Sequence, residues 1–234
     1  MTTADLPLLP RLEAQSLVKS YGSLVALDHV DFAVYPGEVL AVVGDNGAGK
    51  STLIRCLSAA ELPDSGIVRL DGAVVRFRTA REARMAGLNA IFQSVDADTA
   101  IDISTNLYRD REQAHPGPLG KALLWMESKG MRRSAAASAS KVVFLDEPTA
   151  ALGPRESANV RKFIEHLRGR GLPIVVVSHS IPQVLEMADR IHVQRLGARV
   201  AVVNPANVDA SDLAAIMSGA MKVDPKDQAL GPVR

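Results

Sequence analysis

Residues 44–51 of the chain, GDNGAGKS, have the glycine spacing and the Lys–Ser pair of a phosphate-binding loop. Glycines let the backbone turn tightly enough for several N–H groups to point at one anion. Lys50 would reach the β- and γ-phosphates of ATP, and the Ser51 hydroxyl would ligate Mg²⁺. The loop directly follows the apolar run VLAVVG and opens a helix. This context favours nucleotide binding over a glycine-rich connection between strand and helix.

Two adjacent carboxylates end another apolar run, KVVFLDE. Asp146 ends the strand and is placed to hold Mg²⁺ through water. Glu147 lies one residue further along, towards the γ-phosphate, where it could orient or deprotonate an attacking water. By itself the pair would indicate a solvated strand end. Together with the phosphate loop it predicts nucleotide hydrolysis.

A histidine follows a third apolar run, VVVSH, and places His179 at a strand end. A lone histidine at such a position is more often structural. However, the carboxyl ends of parallel strands meet at one crevice, and four strand ends, near Gly44, Gln93, Asp146 and His179, would converge there. The convergence favours a functional role for His179.

The elements that must position these residues alternate between buried strands and helices. Strand-like alternation near the N-terminus and a hairpin turning at Asp71–Gly72 predict an antiparallel β subdomain. Apolar runs followed by helical patterns predict an α/β fold with a mostly parallel central sheet. We expect a single domain over residues 1–234. It would have a core over about 8–93 and 141–205, a segment with a weaker pattern over about 94–140, and a C-terminal helix and tail over 206–234; against the family that these motifs resemble (below), the segment over about 94–140 would be a shortened helical subdomain.

Composition limits the classes of partner. The 234 residues are 47% hydrophobic and carry a net charge of +1, so charge does not favour a nucleic acid, and we expect none as a partner. No apolar run approaches the ~18 residues of a membrane span, and the N-terminus lacks the pattern of a signal peptide. The single cysteine, Cys56, is expected to be a small core residue.

These motifs together resemble the ATPase subunits of ATP-binding-cassette (ABC) transporters, over nearly the whole chain. The resemblance implies a P-loop NTPase fold that binds ATP and Mg²⁺, a Walker B strand at Val142–Asp146 and a catalytic glutamate at Glu147. It also implies a Walker A loop formed by Gly44, Asp45, Asn46, Gly47, Ala48, Gly49, Lys50, Ser51 and Thr52.

Three further roles come from the resemblance. Gln93 looks like the Q-loop glutamine, which contacts Mg²⁺ and couples to the membrane subunit. His179 looks like the switch histidine that contacts the γ-phosphate. Tyr21 lies where the family stacks an aromatic ring on adenine, although from the residues alone an ordinary strand tyrosine explains it equally well.

Finer details, such as DEPTAALG, are similar to the bacterial sugar importers of the ribose, xylose and fructose group. The resemblance implies an ATP-binding subunit that lies on the cytoplasmic face of the inner membrane through a transmembrane permease. It also implies a second ATPase subunit, in a homo- or heterodimer, and an indirect link to a periplasmic sugar-binding protein. The sequence does not name the sugar.

One departure from the family concerns its signature, L-S-G-G-Q, which normally precedes the Walker B strand. The string is absent from this chain, and SAAASAS stands before KVVFLDE. In the family dimer the signature contacts the γ-phosphate held by the opposite subunit. Two hypotheses therefore stay open: an ATP-hydrolysing sugar-import subunit, or a nucleotide-binding, hydrolysis-deficient cassette that is a degenerate heterodimer partner or a deletion product. A nucleotide kinase fits DEPTAALG and the histidine strand poorly.

Overall fold

The computed structural model describes residues 9–91, 140–150, 153–224, 228 and 231–232. The helical subdomain expected over about 94–140 lies outside the described residues, and so does Gln93. The division into core, subdomain and tail therefore stays a prediction.

A four-stranded antiparallel sheet forms the N-terminal part, with the strand order β2-β1-β4-β5. Side chains alternate between its two faces, and Val30, Phe32 and Val34 of β2 are all buried, as their spacing predicts. A turn at Asp71 and Gly72 joins β4 to β5. The strands are β1 (Leu12–Tyr21), β2 (Leu24–Val34), β4 (Ser65–Leu70) and β5 (Ala73–Val75).

A six-stranded sheet with the order β10-β9-β3-β8-β7-β6 forms the centre. Its strands run parallel, except that β10 pairs antiparallel with β9 at one edge. Every residue of β3, β7 and β8 is buried, which explains why these segments are continuous apolar runs. The strands are β3 (Val39–Val43), β6 (Leu88–Ile91), β7 (Val142–Asp146), β8 (Ile174–Val177), β9 (Arg190–Arg195) and β10 (Ala198–Val203).

Helices and the other sheet cover the two faces of the central sheet. One core lies between the two sheets and includes residues of α1, and two further cores lie under α3 and under α4 with α5. No helix among the described residues has the length and apolar character needed to cross a membrane. The helices are α1 (Lys50–Leu57), α2 (Ala80–Met85), α3 (Pro154–Gly169), α4 (Ile181–Met187) and α5 (Ala210–Ser218), with a 3-10 turn at Pro205–Asn207.

Cys56 of α1 is in the core between the two sheets, as expected from its apolar neighbours. Burial raises the pKa of its thiol to about 12. The thiol is therefore protonated at neutral pH and is a packing group rather than a nucleophile.

The strand order decides which chain segments meet. Because β3, β8 and β7 are neighbours and parallel, the segments that follow them lie side by side at one edge of the sheet. These segments are the glycine-rich loop, the Ser178–His179 pair and the Asp146–Glu147 pair.

Candidate active site

The loop between β3 and α1 is held in a conformation that requires glycine. Gly44 and Gly49 have φ angles of 151° and 99°. A Cβ at Gly44 would lie 2.1 Å from the carbonyl oxygen of Gln194, and one at Gly49 would lie 2.3 Å from that of Ala26. Among the described residues no side chain caps the amino end of α1, so its first-turn N–H groups are available to an anion. The local structure is that of a phosphate-binding loop.

Lys50, the first residue of α1, folds back over this loop. Its ammonium group donates to the carbonyl oxygens of Gly44, at 2.7 Å, and Asp45, at 2.8 Å. Burial lowers the pKa of Lys50, and the negative charges of Glu147, Asp146 and Asp45 oppose that shift. A partly desolvated ammonium at the centre of the loop is the group that a phosphate would pair with.

Asp146, at the end of β7, is within hydrogen-bonding reach of the first turn of α1. The Ser51 hydroxyl hydrogen-bonds to its carboxylate. Burial raises the pKa of Asp146, although this hydrogen bond and the positive charges of Arg55 and Lys50 oppose the rise. The two side chains predicted to hold Mg²⁺ are thus brought together from residues 95 positions apart in the chain.

Glu147 and His179 face each other across the ends of β7 and β8. Nε2 of His179 lies 3.2 Å from Oε1 of Glu147, and the backbone N–H of His179 hydrogen-bonds to the same carboxylate. The contact between Nε2 and Oε1 has the distance of an ion pair but not the alignment of a hydrogen bond, so the buried Oε1 has no hydrogen-bond donor among the described residues. Burial raises the pKa of Glu147, and the charge of His179 opposes the rise. A carboxylate with a raised pKa and a free oxygen is suited to accept a proton from water.

The backbone of Glu147 is unusual. Its φ angle is 53°, a left-handed conformation that non-glycine residues seldom adopt. Its N–H donates to the carbonyl oxygen of Val177 at 3.0 Å, which continues the pairing of β7 with β8 for one more residue.

Tyr21, the last residue of β1, lies at the rim of the site. Its side chain is 44% exposed, and its hydroxyl donates to Glu61 and contacts Thr52. Burial raises the pKa of this phenol, and the hydrogen bond to Glu61 raises it further.

These groups surround a cavity of about 360 Å³. Gly44, Asp45 and Ala48 form the loop but do not line the cavity, and Gln93 lies outside the described residues. Leu24 and Ala26 of β2, and Glu61 behind Tyr21, were not among the predicted site residues. The lining residues are Tyr21, Leu24, Ala26, Asn46, Gly47, Gly49, Lys50, Ser51, Thr52, Asp146, Glu147, Val177 and His179.

The donor set fits magnesium better than a transition metal. In the part of the chain that the structure describes, no group of three or more His, Cys, Asp or Glu side chains is placed to hold an ion. Ser51 and Asp146 supply two hard oxygen atoms beside the phosphate loop. Mg²⁺ in phosphate-handling sites is characteristically held by one or two such protein ligands, together with phosphates and waters.

The family profile described as "ABC transporter" matches residues 27–150, just over half of the chain. The chain belongs to the ABC transporter family. The matched part contains the glycine-rich loop, Asp146 and Glu147.

Curated relatives in the ABC family are sugar-import proteins. The fructose import ATP-binding protein FrcA of Rhizobium meliloti is 42% identical over 246 residues, covering 90% of this chain and 95% of the relative. The xylose/arabinose import ATP-binding protein XylG of Sulfolobus acidocaldarius is 34% identical and covers 78% and 83%. The ribose import ATP-binding protein RbsA 2 of Escherichia coli O157:H7 is 31% identical over 90% of this chain. This chain spans only 47% of that longer relative.

Solved ABC structures share the fold. The ADP conformation of MJ1267, an ATP-binding cassette of an ABC transporter, superposes with a TM-score of 0.65 at 20% identity, covering 94% of this chain and 97% of that one. A nucleotide-free ATP-binding cassette superposes with a TM-score of 0.67 over the same fractions. The prediction of a P-loop fold with an antiparallel β subdomain is confirmed.

The alignment with FrcA also bears on length. It runs over 246 positions, whereas 90% of this chain's 234 residues is about 211, so about 35 positions of the relative have no counterpart here. The L-S-G-G-Q string is absent from the sequence between Gln93 and Asp146, as it is from the rest of the chain.

Proposed function

We propose that the chain is the ATP-binding subunit of a carbohydrate ABC importer and couples ATP binding and hydrolysis to sugar uptake through a partner permease. The observation that supports this most directly is the meeting of the glycine-rich loop, the Ser51–Asp146 pair and the Glu147–His179 pair around one cavity. The sugar-import names of relatives that are 31–42% identical supply the transport context.

Each side chain has a role that follows from its position. The loop N–H groups and Lys50 bind the phosphates, since both concentrate positive charge at the amino end of α1. Tyr21 offers a ring to the base at the rim of the cavity. Glu147 accepts the proton of the attacking water, and His179 hydrogen-bonds the γ-phosphate.

Ser51 and Asp146 would hold Mg²⁺, with Gln93 as a third ligand by resemblance. Mg²⁺ held there would neutralise part of the phosphate charge. Asp146 has to be ionised for this, and its hydrogen bond with Ser51 favours the ionised form.

The proposed assembly has a transmembrane permease, a second ATPase subunit and a periplasmic sugar-binding protein. The chain would then lie on the cytoplasmic face of the membrane through the permease. The second ATPase subunit is part of the proposal because family sites close between two cassettes, each completing the other's γ-phosphate site.

The test begins with binding. MgATP should bind the purified chain with a one-to-one stoichiometry in calorimetry, and Lys50→Ala should weaken binding by about tenfold to a hundredfold, because a charged hydrogen bond contributes about 1.5–3 kcal/mol. Arg168→Ala, at the far end of α3, is the matched control and should bind as the wild type does. Unchanged affinity in Lys50→Ala would refute the nucleotide site.

The second measurement is ATP turnover, alone and mixed with an ATPase subunit that carries L-S-G-G-Q. The import proposal expects turnover that Glu147→Gln lowers by about 10²–10⁴-fold while MgATP still binds. Turnover by the chain alone would exclude the hydrolysis-deficient alternative, which the comparisons do not favour. Binding without turnover in both conditions would overturn the hydrolytic part of the proposal.

A further inference from the structure

The loop between α1 and β4, residues 58–64, is fixed against the end of β1. The Asp64 carboxylate accepts the backbone N–H of Ser20 at 2.7 Å and the ammonium group of Lys19 at 3.0 Å. The N–H of Asp64 donates to the carbonyl oxygen of Val18 at 2.8 Å. Glu61 lies in the middle of this loop, so the hydrogen bonds of Asp64 help to fix its position.

Glu61 uses both carboxylate oxygens within the protein. Oε2 accepts the hydroxyl of Tyr21, and Oε1 accepts a guanidinium N–H of Arg55 at 2.9 Å. The N–H of Glu61 also donates to the carbonyl oxygen of Arg55 at 3.1 Å. The bonds from Tyr21 and Arg55 hold the pKa of Glu61 below its usual range, so it is a charged acceptor at neutral pH.

The ring of Tyr21 is held from two further sides. The ammonium group of Lys19 lies over the ring, 5.6 Å from its centroid, and is itself paired with Asp64. The phenol oxygen also contacts the Thr52 side chain in the first turn of α1. Tyr21 nevertheless stays 44% exposed and lines the cavity beside Leu24 and Ala26. The ring is thus held in place while part of it remains open to the cavity.

We propose that Glu61 is a positioning residue for the nucleobase: it holds the Tyr21 hydroxyl so that the ring is a fixed stacking surface, and it does not touch the nucleotide itself. A free tyrosine would lose side-chain freedom when a base stacked on it, and a ring already held avoids that loss. Since the Tyr21 hydroxyl is bonded to Glu61, the ring contributes stacking rather than a hydrogen bond to the base edge. The inference rests on the nucleotide site proposed above.

The experiment compares a ligand that has a base with one that has none. Calorimetry with MgATP and with magnesium tripolyphosphate is carried out on the wild type, Glu61→Ala, Tyr21→Phe and the double variant. We expect each single variant to bind MgATP about two- to tenfold more weakly, and the double variant no more weakly than either. Tripolyphosphate should bind all four proteins equally.

Two controls separate positioning from folding. Glu61→Gln keeps an acceptor for Tyr21 and should recover most of the MgATP affinity, which also provides a test if Glu61→Ala folds poorly. Glu13→Ala removes a β1 carboxylate that contacts Gln15 and Arg69, away from the cavity, and should leave both ligands unaffected.

Four results would overturn the inference. Equal weakening of tripolyphosphate and MgATP in Glu61→Ala would mean that Glu61 acts through α1 and not through the ring. Additive losses in the double variant would mean that Glu61 contacts the nucleotide directly. Unchanged MgATP affinity in Glu61→Ala would refute the positioning role of Glu61 and leave the nucleotide site standing. A wild type that binds neither ligand would refute both the proposed site and this inference.

Discussion

Glycine at position 49 of the glycine-rich loop has two possible reasons: the backbone conformation and the close approach of β2. Adding a single methyl group tests whether the close approach of β2 matters in addition to the backbone conformation. Gly49 has a φ of 99°, and a Cβ at this position would lie 2.3 Å from the carbonyl oxygen of Ala26 and 3.3 Å from a methyl carbon of Leu27. Gly47 has a similar φ, 79°, but a Cβ there would meet no atom of the described residues within 4 Å. The pair Gly49→Ala and Gly47→Ala therefore differs mainly in the steric contact.

The magnitude follows from that difference. A positive φ costs about 1–2 kcal/mol for alanine, and this cost, together with the change in the unfolded chain, is common to both variants. Only Gly49→Ala adds overpacking against backbone, which costs about 1–3 kcal/mol. For a chain of this size each 1 kcal/mol lowers the midpoint of thermal unfolding by about 2–4 °C. Gly49→Ala should therefore unfold about 2–12 °C below Gly47→Ala.

Thermal unfolding of the nucleotide-free proteins, followed by far-UV circular dichroism, measures the effect without any contribution from ligand. MgATP calorimetry on the same samples then shows whether the displaced loop still binds phosphate, and Gly49→Ala should lose more affinity than Gly47→Ala. Equal unfolding midpoints for the two variants would refute the reasoning, because they would show that β2 yields to the methyl group at no cost.

Three further predictions concern buried groups. Burial lowers the pKa of His192 to about 4, so the unfolded chain binds more protons between pH 4 and 6.5 and acid destabilises the fold. In urea titrations, the free energy of unfolding should fall between pH 7 and pH 5 by about 2 kcal/mol more in the wild type than in His192→Gln. Equal losses in the two proteins would refute the lowered pKa of His192. Cys56 should react with a thiol reagent about 10³-fold more slowly in the native than in the unfolded protein, because its pKa is about 12, and fast native labelling would contradict its burial. Asp146→Asn should raise the unfolding midpoint of the nucleotide-free protein, since burial disfavours the charged carboxylate. MgATP at a hundredfold excess over its Kd should stabilise the wild type by ~2.7 kcal/mol, and Asp146→Asn should lose most of that stabilisation. An unchanged response to MgATP would count against Asp146 as a magnesium ligand.

Sequence patterns predicted the elements of the site because each pattern is local. The run VLAVVG, the loop glycines and the helix that follows are contiguous. The family resemblance gave the strand that ends at Asp146 the bounds that the structure shows, Val142–Asp146. Buried parallel strands are continuous apolar runs, so the sequence also indicated that these strands lie at the centre of the sheet. The convergence of three strand ends follows once the strands are parallel neighbours.

The sequence did not reveal the partners of the site side chains. Glu61 is 40 positions from Tyr21, in a loop with no periodic pattern, and nothing local distinguishes it from a solvated acid. The same holds for the hydrogen bond from Thr149 to Gln183, 34 positions apart. Such pairs depend on how loops dock after the sheet has formed.

By itself the sequence determined the fold class, the family and the chemical types gathered at one edge of the sheet, because periodicity and motif spacing are properties of neighbouring residues. Only the tertiary structure decided that a Glu147 oxygen beside His179 has no hydrogen-bond donor among the described residues, and that the Tyr21 hydroxyl is committed to Glu61. Those outcomes depend on strand order and loop docking. Both are fixed by burial of the whole chain and not by any one segment.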